Sequence, residues 1–112
     1  MKIGFLERRK FRDLVRRQIA LFQTDHVELI TRAREARRQY ARTADPNEAH
    51  EHYITHDDLS EDVEEHLYDM CERYAANIDP ARVDYYIAEF NRQAWRQFRD
   101  LIPRLHFDPD RR

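Results

Sequence analysis

Gly4 is the only glycine in the 112 residues of this chain. Hairpin-rich β folds need glycine at the positive φ angles of their tight turns. Phosphate-binding loops, dinucleotide-binding turns and the nucleophile elbow of α/β-hydrolases need it where the backbone turns sharply or approaches a ligand. The sequence therefore argues against P-loop, Rossmann and α/β-hydrolase chemistry and favours a protein built of helices.

The composition fits amphipathic helices. Charged residues make up 38% of the chain and apolar residues 41%, as expected for helices with one apolar stripe and a charged remainder. Six Phe, six Tyr and one Trp argue against a disordered chain, which is poor in aromatic residues. The length suits one domain. We expect residues 1–103 to form it and residues 104–112 to be a frayed tail.

A long apolar seam predicts a first helix over residues 4–42. Two sets of apolar positions recur every seven residues, offset by four. No Gly or Pro interrupts residues 5–42, so one continuous helix is favoured over the alternative, a break at Thr24-Asp25. That alternative rests on Asp25 and Glu28, which have the spacing of an N-cap pair. The seam comprises Phe11, Val15, Ile19, Phe22, His26, Leu29, Ala33, Ala36 and Tyr40.

Residues 43–57 are predicted to connect this helix to the next one. Asp45-Pro46 signals a turn or a helix start, and residues 47–55 have room for a short extra helix. The next helix is expected to begin at Asp58, a plausible N-cap with Glu61 in its first turn.

A final helix is predicted to start at Asp79-Pro80, with Asp as N-cap and Pro in the first helical position, and to stop at Pro103. The short link before it predicts an antiparallel C-terminal hairpin. The expected fold is an all-α bundle of three helices, or four if residues 47–55 are helical. The long first helix has more seam than the hairpin covers, so we expect a homodimer of coiled-coil type that buries the surplus.

Charge is segregated along the chain. Residues 1–42 hold 12 Lys/Arg and 5 Asp/Glu, for a net charge of +7. Residues 43–79 hold 1 and 12, for −11, and residues 80–112 hold 7 and 5, for +2. The basic helix is therefore expected either to lie along the acidic segment or to face an anionic partner.

Two arginine ladders with i, i+4, i+8 spacing mark the first helix. Guanidinium groups suit carboxylates and phosphates, so the ladders are candidate surfaces for a protein partner or for nucleic acid. Pairing with the acidic segment is the favoured explanation, because dedicated nucleic-acid-binding domains are usually basic overall. Tyr85 and Trp95 lie off the apolar stripe of the last helix and are candidate partner anchors. The ladders are Arg8, Arg12 and Arg16, and Arg34, Arg38 and Arg42.

The histidines suggest two further sites. Glu48, His52 and His56 have the i, i+4, i+8 spacing of a helical metal site. A solvated loop is favoured there, because no metalloprotease or di-iron motif frames them. His26 lies within the apolar seam and His66 beside the stripe of the second helix. Each is expected to be a core histidine with a hydrogen-bond partner, and a pH-sensitive core residue is the alternative.

The sequence favours a cytoplasmic protein without a cofactor. Cys71 is the only cysteine, so no internal disulfide or cysteine zinc site is expected, and a structural thiol is favoured over a nucleophile. No signal peptide or apolar run of membrane-spanning length is evident.

The predicted helix order resembles that of the small all-helical chorismate mutases. That family depends on a lysine and arginines around an anionic substrate, whereas no lysine follows Lys10 in this chain. We therefore expect a non-enzymatic interaction module that acts as a homodimer. A nucleic-acid-binding regulator is the first alternative, and a metal- or small-ligand-binding bundle is the second.

Overall fold

The computed structural model describes the backbone of residues 2–102 and the side chains from Arg9 to Ile102. Within this range the chain forms four α-helices: α1 (Lys2–Asp25), α2 (Val27–Arg42), α3 (Pro46–Ala75) and α4 (Val83–Phe98). The predicted all-α fold is confirmed, and the count is four. The last helix ends at Phe98, five residues before the predicted stop at Pro103, so that predicted end is wrong. The predicted tail lies outside the described residues.

The predicted first helix is divided at His26. This residue has φ −119° and ψ 31° and stands as N-cap of α2 without a side-chain capping bond. Helical hydrogen bonds nevertheless continue on both sides of it, from His26 N–H to the Phe22 carbonyl at 2.9 Å and from Ile30 N–H to the His26 carbonyl at 3.0 Å. The expectation of one uninterrupted helix is therefore wrong at one residue, and the alternative break was placed slightly too early.

The predicted connection over residues 43–57 is wrong. Asp45 caps α3 by accepting a hydrogen bond from the Glu48 N–H at 3.0 Å, and Pro46 occupies the start of the helix. An N-cap followed by Pro satisfies two requirements of a helix start. No Gly or Pro follows within α3, so the helix runs for 30 residues, about 45 Å. Asp58 lies inside α3 and does not start it.

Asp79 starts a turn and not the helix itself. Its carboxylate accepts from the Ala81 N–H at 3.1 Å and pairs with Arg82 at 2.8 Å. Its carbonyl accepts from the Arg82 and Val83 N–H groups. Because this turn takes up three residues, α4 begins at Val83, and Asp79 is not its N-cap.

α3 runs antiparallel along α2, and its C-terminal part faces α1 across a groove. Along its length Tyr53 meets Tyr40, His56 meets Ala33, and His66 meets His26. At its C-terminal end Tyr74 meets Tyr86 of α4. α4 also packs along α1, where Tyr86 donates a hydrogen bond to Gln18 at 2.8 Å. The molecule is flat and elongated, 55 × 27 × 18 Å.

α3 covers the α2 part of the seam and α4 covers the α1 part, both within one chain. Six of the nine seam residues lie in the buried core; His26 and Leu29 are half-buried, and Tyr40 is 45% exposed. The expected surplus of seam is therefore reduced to the end of α2. α4 completes the core with Tyr86, Phe90, Ala94 and Phe98, followed by Leu101 and Ile102.

Candidate interaction surfaces

The exposed charges follow the helices. Among the described side chains, α1 and α2 present nine exposed cations against three exposed anions, whereas α3 presents eight exposed anions and one exposed cation, Arg73. Since α3 packs antiparallel along α2, a basic and an acidic helix lie side by side up to the α2–α3 connection. The exposed cations are Arg9, Lys10, Arg12, Arg16, Arg17, Arg32, Arg37, Arg38 and Arg42. The exposed anions of α3 are Glu48, Glu51, Asp58, Glu61, Asp62, Glu65, Asp69 and Glu72.

The first arginine ladder is partly described. Arg12 and Arg16 are exposed on α1, and the Arg8 side chain lies outside the described residues. Arg16 pairs with Asp13 at 3.1 Å on the same helix. An exposed pair of this kind contributes little to stability, so this part of α1 keeps its basic character toward solvent.

The second ladder is divided between two roles. Arg34 turns inward, pairs with Asp100 at 3.0 Å, donates to the Gln97 carbonyl at 3.3 Å and lies 5.8 Å from the centre of the Phe98 ring. It therefore fastens the end of α4 to α2.

Arg38 and Arg42 share one carboxylate, Glu35, at 2.8 and 3.6 Å. The hydrogen bonds that Arg38 and Gln39 donate lower the pKa of Glu35. The described partners of the arginines in α1 and α2 are thus Asp13, Glu35 and Asp100, all outside the acidic segment of residues 43–79. The three arginines of this ladder do not form one uniform phosphate-binding face.

An aromatic patch lies at the tip of the α2–α3 hairpin. The Tyr40 and Tyr53 rings are 5.5 Å apart, and these side chains are 45% and 46% exposed. Together with Pro46, Ala49 and His50 they line a shallow cavity of about 320 Å³. We call these five residues the tip patch. The sequence does not predict this patch, because its apolar periodicity places Tyr40 in a buried seam and its turn signal places Tyr53 in a connection.

Tyr85 and Trp95 are less accessible than predicted. Both are half-buried and pack against the hydrophobic core, and the Arg99 guanidinium lies 5.3 Å from the centre of the Trp95 ring. They contribute to the packing of α4. The more exposed aromatic side chains are Tyr40, Tyr53, Tyr68 and Tyr74.

Glu48, His52 and His56 do share one helix, because α3 begins at Pro46. The His56 Nδ1 atom lies 3.4 Å from the Ala33 carbonyl oxygen and 3.4 Å from Ser60 Oγ. This imidazole is thus engaged between α2 and α3. Within the described residues, no group of three His, Cys, Asp or Glu side chains is arranged to hold a metal ion.

The structure brings His26 and His66 together, which the sequence did not predict. Their rings stack with centres 4.5 Å apart, and His26 also lies 4.5 Å from Phe22. Burial and the neighbouring His66 lower the pKa of His26, and Asp25 opposes this effect. The pair lies in an open groove of about 590 Å³ between α1 and α3, whose charged lining includes Asp25 and Arg73.

Cys71 is buried, and burial together with Glu72 raises the pKa of its thiol to about 12. Since the thiolate is the reactive form of cysteine, this environment suits a structural side chain and not a nucleophile.

No helix in residues 2–102 is long and apolar enough to cross a membrane. The sequence matches no known protein family, and neither a curated protein nor a solved structure shows significant similarity to the chain.

Proposed function

We propose that this protein is a non-enzymatic helical interaction module that acts as a homodimer in the cytoplasm. The observation that carries the proposal is the exposed exterior, where a basic and an acidic helix face run side by side and end in the aromatic tip patch. Complementary charge provides specificity between protein surfaces, and aromatic side chains provide binding energy.

The exposed apolar side chains favour a protein partner. Among the described side chains, seven large hydrophobic ones are exposed, and three of these lie in the second half of α2 and the first third of α3: Tyr40, Tyr53 and Ile54. Single exposed apolar residues are common, whereas a cluster marks an association site. A flat molecule only 18 Å thick has about the depth of two helices and offers a broad face to a second copy.

The chemistry of the reactive groups agrees with a binding role. Cys71 is buried, Arg34 is held by Asp100, and His56 is engaged between helices. These contacts stabilise the fold and leave the chain's exposed arginines and tyrosines as its main recognition groups.

Nucleic-acid binding through α1 is the alternative. Arg9, Arg12, Arg16 and Arg17 are exposed on that helix. The chain as a whole is, however, slightly acidic, with a net charge of −2, whereas dedicated nucleic-acid-binding domains are usually basic.

Sedimentation velocity over a range of protein concentrations tests the proposal, because it reports the mass of the free protein. We expect a dimer at micromolar concentration in moderate salt, weakened as salt screens the charges. A monomer throughout the micromolar range contradicts the proposal. Titration into fluorescent 20-nucleotide DNA and RNA serves as the counter-assay. Micromolar, salt-sensitive binding that Arg12→Glu and Arg16→Glu together abolish favours the alternative.

A further inference from the structure

The tip of the α2–α3 hairpin has the properties of a self-association surface. We define the hairpin arm as residues 35–57, the part beyond the contact of Arg34 with Asp100 at the end of α4. In the arm α2 packs against α3 alone among the described helices, through pairs such as Tyr40 with Tyr53. The apolar side chains exposed on it are Tyr40, Tyr53 and Ile54, each 45–46% exposed.

The two helices of the arm carry opposite charge. Residues 35–42 of α2 contain Arg37, Arg38 and Arg42 against Glu35. Residues 46–57 of α3 contain Glu48, Glu51 and Asp57 and no Lys or Arg. A second arm on this surface is therefore attracted where its α2 faces α3 of the first arm, and repelled where like helices face each other.

Twofold symmetry leaves two simple ways to stack one arm on another. A twofold axis parallel to the helices places α2 of one copy against α3 of the other, and both arms then point in the same direction. A twofold axis across the helices places α2 on α2 and α3 on α3, with the arms pointing in opposite directions. Only the first arrangement pairs opposite charges at both contacts, and it also makes every helix antiparallel to its neighbours.

We propose that two copies of this chain associate through their hairpin arms, side by side with tips together, in a four-helix bundle in which basic α2 and acidic α3 alternate. This inference rests on the proposed homodimer and deepens it by naming the surface. In the bundle the two tip patches meet across the axis. A tyrosine buries about 150–250 Å² when fully covered, so four half-exposed tyrosines supply roughly 300–450 Å² of aromatic contact. The helix faces on either side add the rest of the interface.

Charge reversal tests the pairing without removing the apolar contact. One variant carries Arg37→Glu and Arg42→Glu, and the other carries Glu48→Lys and Glu51→Lys. Each variant alone places like charges at both contacts, so we expect its dimer to dissociate at a concentration at least about tenfold higher than the wild-type dimer does. An equimolar mixture restores opposite charges at both contacts, and we expect a heterodimer of near wild-type affinity.

Matched controls carry the same changes in net charge outside the arm. They are Arg9→Glu with Arg17→Glu on α1, and Asp62→Lys with Glu65→Lys on α3, all at exposed positions. Circular dichroism verifies that every variant keeps its helix content. If the controls weaken the dimer as much as the arm variants do, or if the mixture does not restore association, the arm is not the interface and the proposal is overturned. The homodimer itself survives that result, whereas a monomeric wild-type protein refutes both.

The direction of the arms is tested separately. A spin label at Asn47, introduced as Asn47→Cys in a Cys71→Ala background, lies at the tip of the arm, in the first turn of α3. We expect the two labels of a dimer to be within roughly 25 Å of each other, since the tips are together and stacked helices lie about 10 Å apart. A separation greater than 35 Å places the arms in opposite directions and overturns the charge-based arrangement.

Discussion

Acidification is expected to destabilise the protein through the stacked pair of His26 and His66. Burial and His66 lower the pKa of His26 in the folded chain below its ordinary value of 6.5. The unfolded chain therefore binds more protons than the folded one as the pH falls below about 6.5. The stability contributed by the neutral His26 is present above that pH and is lost as the pH falls through 6.5 toward the folded-state pKa.

The size of the effect follows from the geometry of the pair. Two unit charges 4.5 Å apart repel each other by about 4 kcal/mol at an effective dielectric constant of about 20, and by about 1 kcal/mol in bulk water. His66 is exposed and His26 is half-buried, so solvent screening places the repulsion at about 1–2 kcal/mol. Asp25 offsets part of it, whereas Arg73, on the opposite side of the groove, adds to it.

Urea unfolding at pH 5, 6, 7 and 8 measures this repulsion. The proteins compared are wild type, His26→Asn, His66→Asn and the double variant, all at one protein concentration. A double-mutant cycle at each pH isolates the coupling between the two rings. We expect the coupling to become less favourable by about 1–2 kcal/mol between pH 8 and pH 5.

His50→Asn is the control, because His50 is exposed at the hairpin tip, outside the groove of the stacked pair. Its pH profile should follow that of wild type. A coupling between His26 and His66 that is the same at pH 5 and pH 8 would refute the electrostatic argument.

Three further predictions concern single side chains. Asp45→Ala should lower the free energy of unfolding by about 1 kcal/mol, because the N-cap of α3 is lost. Asp58→Ala should change it by less than about 0.5 kcal/mol. Equal losses for the two variants in urea unfolding would contradict the helix start at Pro46. Arg34→Met should lower the free energy of unfolding by about 1–2 kcal/mol, since the half-buried ion pair with Asp100 and the hydrogen bond to the Gln97 carbonyl are both lost. An unchanged thermal unfolding midpoint would contradict a stabilising role for Arg34. Burial raises the pKa of Cys71 to about 12, so a thiol reagent at pH 8 should label it no faster than the protein unfolds. Fast labelling of the folded protein would contradict its burial.

The sequence predicted which residues form the core better than where the helices begin. The apolar periodicity placed Val15, Phe22 and Ala33 on one face, and all three are buried. Periodicity reports which side of a helix is apolar, and it is insensitive to a single non-helical residue such as His26. The backbone hydrogen bonds continue on both sides of that residue, so the seam stayed in phase.

The error at Asp45-Pro46 had the largest consequence. Asp followed by Pro marks a turn or a helix start, and here it does the second. The sequence left both open and placed the start of the next main helix at Asp58, which left Tyr53 and His56 in a connection. The tip patch was therefore not predicted, and the surplus of seam was overestimated. A uniform helix assignment from Pro46 onward would have placed His50 and Tyr53 on neighbouring positions of one helix.

The meeting of His26 with His66 depended on tertiary register, which no local pattern contains. The two residues are forty positions apart in sequence, and their contact depends on the register in which α3 packs against the preceding helices. The inward turn of Arg34 has the same origin, since its partner Asp100 is 66 positions away.

The docking of α4 along α1 also sets an order of events during synthesis. Gln93 donates a hydrogen bond to the Arg12 carbonyl across 81 positions of the chain, at 2.9 Å. The hairpin of α2 and α3, by contrast, closes through a three-residue connection and needs only neighbouring sequence. During synthesis, the apolar face of α1 therefore stays uncovered until α4 has left the ribosome. This face includes Phe11 and Val15. That interval is when the nascent chain is most prone to aggregation and most in need of a chaperone.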